Sequence, residues 1–301
     1  MSTIKVIANP MAGRGYGRHA ITIASKLMSN KGLGFDLVQT EYPGHAVELA
    51  RQALAQGEQT IVALGGDGTV NEVVNGLCAD LGNDPNPADI VRLGVIPCGS
   101  GNDFAYAAGV PRNLSTAIDR LIQGRTRLVD MGRINDRLFA YGVGMGFDAE
   151  VNIESRKIKV LRGMLLYFIA LLKVLIFQHR SYELEIVADG QQIKQSAMMV
   201  SVANGQRYAG AFMITPEAKI DDGLLNLCVI SPVSRLDMLR FMPLVFKGYH
   251  TRLKQVKTLA AREVRVRSDS PLVSHVDGEI FGLGERYYEF SLLPRRLRVI
   301  Y

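Results

Sequence analysis

The sequence predicts a two-domain protein of mixed class: a parallel α/β domain over residues 1–130 and a β-rich domain over residues 131–292, with residues 293–301 returning to the first. Three observations carry this expectation. A chain of 301 residues that is 48% apolar exceeds what one ordinary core holds, which favours two. Short apolar runs alternate with amphipathic stretches as far as Val129, which is the pattern of a parallel sheet covered by helices. After "RLVDMGRIN" the rhythm changes to strands with hairpin signals.

The first domain reads, in order, as strand "IKVIA", helix Arg18 to Asn30, strand "FDLVQ", helix Ala46 to Ala55, strand "TIVAL", helix Val70 to Cys78 and strand "RLGVIP". The loops after the strands are "NPMAGRGYG", "TEYPGH", "GGDGT" and "PCGSGND". In open parallel sheets ligands bind beyond the carboxyl ends of the strands, so these loops share one candidate edge. The run "DLGNDPNPAD" reads as a surface loop.

In the second domain, "YELEIVADGQQIKQSAMMVSVAN" carries an Asp189-Gly190 turn. Further strands are expected at Leu224 to Ile230, Glu263 to Val266, Pro271 to Val276 and Tyr287 to Leu292. The tail "RRLRVIY" suits a strand returning to the first domain. From Met164 to Phe177, "MLLYFIALLKVLIF" is apolar except for Lys173. A helix of that length reaches roughly 21 Å, short of the roughly 30 Å hydrocarbon core. Two readings remain open: a buried helix of the second domain, or an interfacial helix flanked by Lys157, Lys159, Arg162 and Arg180.

The formal charge of +6 suits an anionic partner. No Trp and no aromatics interleaved with Arg argue against nucleic acid. Cys78, Cys98 and Cys228 lack CxxC spacing and sit in apolar runs, as buried reduced thiols do, which favours the cytoplasm. The start "MSTIKVIANP" has no basic segment and no cleavage signal.

"GGDGTVNE" is the main candidate site. Gly65, Gly66 and Gly68 permit positive φ and close approach, and the following helix would aim N–H groups at an anion. Thr69 is expected to cap that helix, with Glu72 completing a capping box. The same features suit a strand-to-helix turn without ligand. "VDGE" likewise reads as a hairpin turn, and "IDDGLL" as a turn before a strand.

These segments also carry a resemblance. "NPMAGRG", Thr40 with Gly44-His45-Ala46, "GGDGTVNEVVNG", "IPCGSGNDFA", "GVGMGFDAEV", "PEAKIDDGLL" and "HVDGE", in this order, resemble the diacylglycerol kinase superfamily, in its soluble bacterial lipid kinase branch. The resemblance covers nearly the whole chain. It implies a Rossmann-like parallel α/β domain of the NAD kinase and diacylglycerol kinase type, a C-terminal β-sandwich-like domain, and a nucleotide cleft between them. It further implies ATP- and Mg²⁺-dependent phosphorylation of a hydroxyl of diacylglycerol or a related lipid, such as a sphingoid base, ceramide or phosphatidylglycerol. NAD kinases share the GGDGT turn, and a non-catalytic nucleotide or lipid sensor is the alternative outside enzymes.

By motif matching, the nucleotide contacts are Asn9, Thr40, Gly66, Asp67, Gly68, Thr69, Val70, Asn71, Glu72 and Ser100. Ser100 stands where the family usually has Thr. A carboxylate beside phosphates repels them unless a hard cation intervenes, which makes Asp67 intelligible beside Mg²⁺. The resemblance makes Glu279 the acceptor base facing Asp67, and assigns a second Mg²⁺ to the Asp222 carboxylate with the carbonyls of Lys219 and Leu224. Asp221 could join through water. His275 is expected to be a strand residue. Arg14 and Arg18 suit either the nucleotide or a solvated surface. Peripheral contact with the inner membrane surface is implied, and a homodimer is left open.

Overall fold

Residues 3–78, 91–158, 160–161, 163–178 and 180–301 are described in the computed structural model. The loop expected at Asp80 to Asp89 lies outside the described residues, as do Lys159 and Arg162. The chain divides into two compact units, Met1–Met131 with Leu293–Tyr301, and Gly132–Leu292.

The N-terminal unit follows the expected alternation: β1 (Ile4–Ala8), α1 (Tyr16–Asn30), β2 (Phe35–Gln39), α2 (His45–Ala55), β3 (Thr60–Gly65), α3 (Asp67–Cys78) and β4 (Arg92–Pro97). Two short helices follow, α4 (Asp103–Ala107) and α5 (Leu114–Gln123), and then β5 (Thr126–Ile134), which runs on into the second unit. The strands are parallel in the order β4-β3-β1-β2. Arg298 and Val299 of the C-terminal tail pair in parallel with Arg92 and Leu93.

β1 and β3 are buried along their whole length, because helices cover both faces of the sheet and leave no solvent side to be polar. Val6, Ala8, Val62, Leu64 and Ile96 point to one core, with Ala20, Ala24 and Met28 of α1 and Ile118 of α5. Between α2 and α3 the residues are small. Ala46, Ala50 and Ala53 are buried, and a Cβ on Gly76 would meet the Val47 carbonyl at 2.5 Å, so these helices approach at backbone distance.

The C-terminal unit is β-sandwich-like. It contains β6 (Arg137–Phe139), β7 (Gly142–Gly146), α6 (Phe147–Lys157), α7 (Gly163–Phe177), β8 (Tyr182–Ala188), β9 (Gln191–Ala197), β10 (Met199–Ala203), β11 (Leu225–Ile230), α8 (Arg235–Phe246), a 3-10 turn at Tyr249–Arg252, β12 (Val256–Ala261), β13 (Glu263–Val276) and β14 (Glu279–Ile300). β12-β11-β10-β7-β13 form an antiparallel run.

The two stretches expected as separate strands at Glu263 and Pro271 are one strand, β13. Its register on β14 shifts between Arg267 and Leu272. Such irregularities bend a strand, and the two ends of β13 accordingly have different neighbours: Val264 to Ser268 pair with β8, Ser274 to Val276 with β7. Inward residues of both arms, including Val143, Val202, Leu227, Ile186, Val266 and Tyr288, make one core. The Asp189-Gly190 turn joins β8 to β9 with both residues at positive φ.

α7 falls between its two expected readings. Leu166, Ala170, Val174 and Leu175 are buried, whereas Leu165, Ile176 and Phe177 are exposed. No helix among the described residues is long and apolar enough to cross a membrane.

Candidate active site

In the N-terminal unit the register Ala8↔Gln39, Ala8↔Leu64 and Gly65↔Pro97 ends β1 to β4 at one level, so the four loops leave the sheet together. Main-chain bonds tie them there: Asn9 N to Leu64 O at 2.9 Å, Thr40 N to Ala8 O at 2.9 Å and Cys98 N to Gly65 O at 2.8 Å. The glycines of "GGDGT" serve close approach, since neither Gly65 nor Gly66 has positive φ. A Cβ on Gly99 would stand 2.4 Å from Gly66 Cα, and one on Gly13 2.5 Å from the Cys98 carbonyl. Three glycine-rich loops thus lie backbone against backbone.

Asp67 is the first residue of α3 and half-buried. Its Oδ1 accepts the Phe104 amide at 3.0 Å, and a Cβ on Gly101 would come within 2.9 Å of its Oδ2. Asn9 crosses between loops: Oδ1 accepts the Met11 amide at 2.8 Å and Nδ2 donates to Thr69 Oγ1 at 3.0 Å. Asn102, at φ 55°, closes the "GSGN" turn by accepting from the Gly99 amide and donating to its carbonyl. The Ser100 carbonyl accepts from Arg112 at 3.1 Å. Arg18 Nη2 lies 4.0 Å from Met11 Sδ, and Arg14 has φ 58°.

The expected capping box does not form. α3 starts at Asp67 rather than near Val70, so Thr69 lies within its first turn and packs against Gly65. The Glu72 carboxylate instead accepts the Gly44 amide at 2.9 Å and the Ala46 amide at 3.2 Å, capping α2. Free amides at the start of α2 attract a carboxylate whichever helix carries it. Val70 and Asn71 turn inward and are buried. Cys98 is buried beside the loop; burial pushes its thiol up to about 11, so it remains protonated.

In the C-terminal unit Glu279 follows the tight turn between β13 and β14, with Asp277 and Gly278 both at positive φ. Its Oε2 accepts from Arg156 Nη2 at 2.9 Å. The same Nη2 donates to the Gly278 carbonyl at 2.8 Å, and Asn152 Nδ2 donates there at 2.9 Å. The Asp277 carboxylate accepts the amides of Ala140, Tyr141 and Gly142 at 2.9, 3.0 and 2.7 Å. His275 is a strand residue as expected, and it also holds the turn: Nε2 lies 2.8 Å from Asp148 Oδ2, and Nδ1 accepts the Gly278 amide at 3.3 Å. With Nδ1 accepting, Nε2 carries the proton and donates to Asp148. Asp148, Asn152 and Arg156 recur every four residues on α6, so one helical face supports the Glu279 turn.

Residues 3–134 match the diacylglycerol kinase catalytic domain, and residues 142–301 match the YegS C-terminal NAD kinase beta sandwich-like domain. The chain is 31% identical over 279 residues to diacylglycerol kinases of Staphylococcus aureus strains JH9 and Newman, covering 92% of this chain and 86% of each relative. The chain belongs to the diacylglycerol kinase family. It is accordingly a lipid kinase. A crystal structure of a Bacillus anthracis str. Sterne diacylglycerol kinase shares the fold with TM-score 0.73 at 22% identity, covering 99% of this chain and 96% of that one. A second B. anthracis structure, of a candidate diacylglycerol kinase, matches with TM-score 0.81 at 24% identity, covering 99% and 95%.

The remaining expected residues of this kinase are the Lys219, Asp222 and Leu224 set. Gly223 at φ 79° turns the chain there, Lys219, Asp221 and Asp222 are exposed, and Asp222 Oδ1 accepts the Leu224 amide at 3.1 Å. Among the described residues no three His, Cys, Asp or Glu side chains gather as a metal cluster. A cation at this turn would therefore depend on main-chain carbonyls beside Asp222. Such an all-oxygen donor set fits Mg²⁺.

The sequence offered no direct sign of a role for Asp148, Asn152 or Arg156 of the kinase, and it marked Asp277 only as a turn residue. The four-residue spacing of the first three was the available signal. Asp277 was hidden because its backbone partners lie about 135 residues away.

Proposed function

We propose that this kinase transfers the γ-phosphoryl group of ATP to a hydroxyl of diacylglycerol or a closely related membrane lipid, in a Mg²⁺-dependent reaction at the membrane surface. The observation that carries the reading is the backbone-to-backbone packing of the loops around Asp67, with Gly66 against Gly99 and Gly13 against Cys98. Side-chain-free loops at a helix start leave amides to meet phosphate oxygens. Asn9, Thr40, Gly66, Gly68, Thr69 and Ser100 contact the nucleotide, while Val70, Asn71 and Glu72 support the loop from within and behind.

Phosphoryl transfer depends on positioning and charge stabilisation more than on covalent chemistry. Bound Mg²⁺ supplies positive charge on the phosphate oxygens, and the Asp67 carboxylate would hold it there. Asp222, with the Lys219 and Leu224 carbonyls, would hold a second ion that orders its turn. Glu279 accepts the proton of the lipid hydroxyl as that oxygen attacks. Arg156, Asn152, His275 and Asp277 keep the Glu279 turn in place.

The acceptor is the open variable. The C-terminal match is described by its YegS and NAD kinase relationships rather than by diacylglycerol, which favours testing other lipid hydroxyls and NAD alongside it. The test is a panel of diacylglycerol, ceramide, a sphingoid base, phosphatidylglycerol and NAD with labelled ATP, with and without Mg²⁺. Label is expected in diacylglycerol or one related lipid, only with Mg²⁺, and not with Asp67→Asn or Glu279→Gln. Full activity in either variant would overturn the assigned roles, and label only in NAD would overturn the acceptor class.

A further inference from the structure

The loop between β2 and α2, residues 40–44, leaves the sheet at the same edge as the glycine-rich loops but is built differently. Thr40 N bonds the Ala8 carbonyl at 2.9 Å, next to the Asn9 whose side chain bonds Thr69. At the far end of the loop the start of α2 is already occupied, because the Glu72 carboxylate accepts the Gly44 and Ala46 amides. A helix start capped by a carboxylate has neither free N–H groups nor positive potential to offer a phosphate. This loop is therefore anchored among the phosphate-facing loops without being one of them.

It presents an aromatic face instead. Tyr42, two residues after Thr40, is 47% exposed. Its ring lies parallel to the His45 ring, with centroids 4.4 Å apart and planes at 5°. Two bonds hold the pair: the Tyr42 hydroxyl donates to Glu48 at 2.9 Å, and His45 Nδ1 accepts the Glu41 amide at 3.1 Å. With one face of the phenol ring against imidazole, its exposure belongs to the other face and the edge. A ring held this way loses little freedom when a ligand covers it.

The charges beside the ring also select the kind of ligand. Glu41 and Glu48 are exposed, and both act on Tyr42: the hydrogen bond to Glu48 is the largest cause raising the phenol above its usual pKa of 10.0, so the ring stays uncharged. Two carboxylates at this spot repel a phosphate and favour a neutral group with N–H donors. A flat heteroaromatic ring carrying an exocyclic amino group meets both demands.

We propose that Tyr42 is the platform on which this kinase stacks the adenine ring of its nucleotide. The glycine-rich loops carry the phosphates, and the loop whose helix-start amides are already bonded carries the adenine. Stacking on an aromatic side chain is a general means of holding a nucleobase without reading its edge. The assignment rests on the ATP-dependent reading of the proposed function.

The test is calorimetric titration of the full chain with ADP and with inorganic pyrophosphate, Mg²⁺ being present in both. Wild type is expected to bind ADP more tightly than pyrophosphate. Tyr42→Ala should weaken ADP about ten-fold, within the usual worth of stacking a base on an aromatic ring. Pyrophosphate binding should stay as in wild type, which also reports that the variant folds. Tyr42→Phe keeps the face while losing the Glu48 bond, and should stay within about three-fold of wild type for ADP, on the scale of one net hydrogen bond. In spectra of ring-labelled tyrosine, the signal missing from Tyr42→Phe should move on addition of ADP and hold its place with pyrophosphate. Unchanged ADP affinity in Tyr42→Ala would overturn the proposal. An equal loss for pyrophosphate would do the same, since Tyr42 would then support the phosphate loops. A wild type that binds ADP no better than pyrophosphate would remove the adenine platform and leave the phosphate loops standing, whereas one that binds neither would remove the nucleotide reading itself.

Discussion

Arg156 Nη2 donates to both the Glu279 carboxylate, at 2.9 Å, and the carbonyl of the residue before it, at 2.8 Å. One guanidinium therefore fixes the side chain and the backbone of the proposed base, and α6 fixes the guanidinium through Asn152 Oδ1 at 3.3 Å. Arg156→Gln should lower kcat by roughly ten- to a hundred-fold, the scale of a misplaced catalytic group. KM for ATP should change little, since no nucleotide loop is touched. Arg156→Lys should recover only part of the loss, because an ammonium lacks the planar fork. Steady-state kinetics with a detergent-dispersed acceptor checks both; an unchanged kcat in Arg156→Gln would remove the positioning role.

Asp277 spends its carboxylate on three successive amides at the entry to β7. Asp277→Ala leaves buried donors without this acceptor and should cost about 2 to 4 kcal/mol. Asp277→Asn keeps one oxygen and should cost less. Urea unfolding followed by fluorescence of the eleven Tyr reads the difference, in a protein that has no Trp to mask it.

Glu72 caps a helix other than its own. Its replacement by Ala should destabilise the start of α2 by about 1 kcal/mol, the usual worth of a lost cap. Hydrogen exchange at Gly44 and Ala46 should rise, while the first turn of α3 keeps its protection. A loss of protection confined to α3 would restore the capping box expected from sequence.

His250 is buried, with Nε2 3.1 Å from the Ile214 carbonyl and 3.8 Å from Cys228 Sγ. Burial is the larger cause and lowers its pKa below 6.5, with the Ile214 bond opposing. The folded chain then binds fewer protons than the unfolded one. The stability contributed by neutral His250 is complete above pH of about 6.5 and is lost as pH falls from there through the lowered folded value. Cys228, pushed up to about 12 by burial, offers no compensating charge. Thermal melts from pH 8 to 5 should show wild type losing Tm on acidification relative to His250→Gln, and parallel curves would remove this account.

The parallel alternation of strands and helices in the first unit was legible because helices on both faces make buried strands continuous apolar runs, and because glycine-rich loops punctuate them, whereas the strand order β4-β3-β1-β2 came only from the structure. The hairpin at Asp277-Gly278 was legible for the same local reason, since few residue pairs accept positive φ twice. The sequence thus determined the loops that gather around Asp67, the turn that carries Glu279 and the family they belong to. Partners distant along the chain were decided only by the tertiary structure. Glu72 and Thr69 have the spacing of a capping box, yet Glu72 bonds amides 26 and 28 residues away because α2 packs against α3 at Gly76. β13 reads as two strands because its bulges interrupt the alternation. Arg156 stands 123 residues before Glu279 and meets it only once β13 and β14 fold back beside α6. Local residue chemistry encodes turns, periods and helix ends, whereas the partner that satisfies a buried or half-buried polar group is set by which elements pack together.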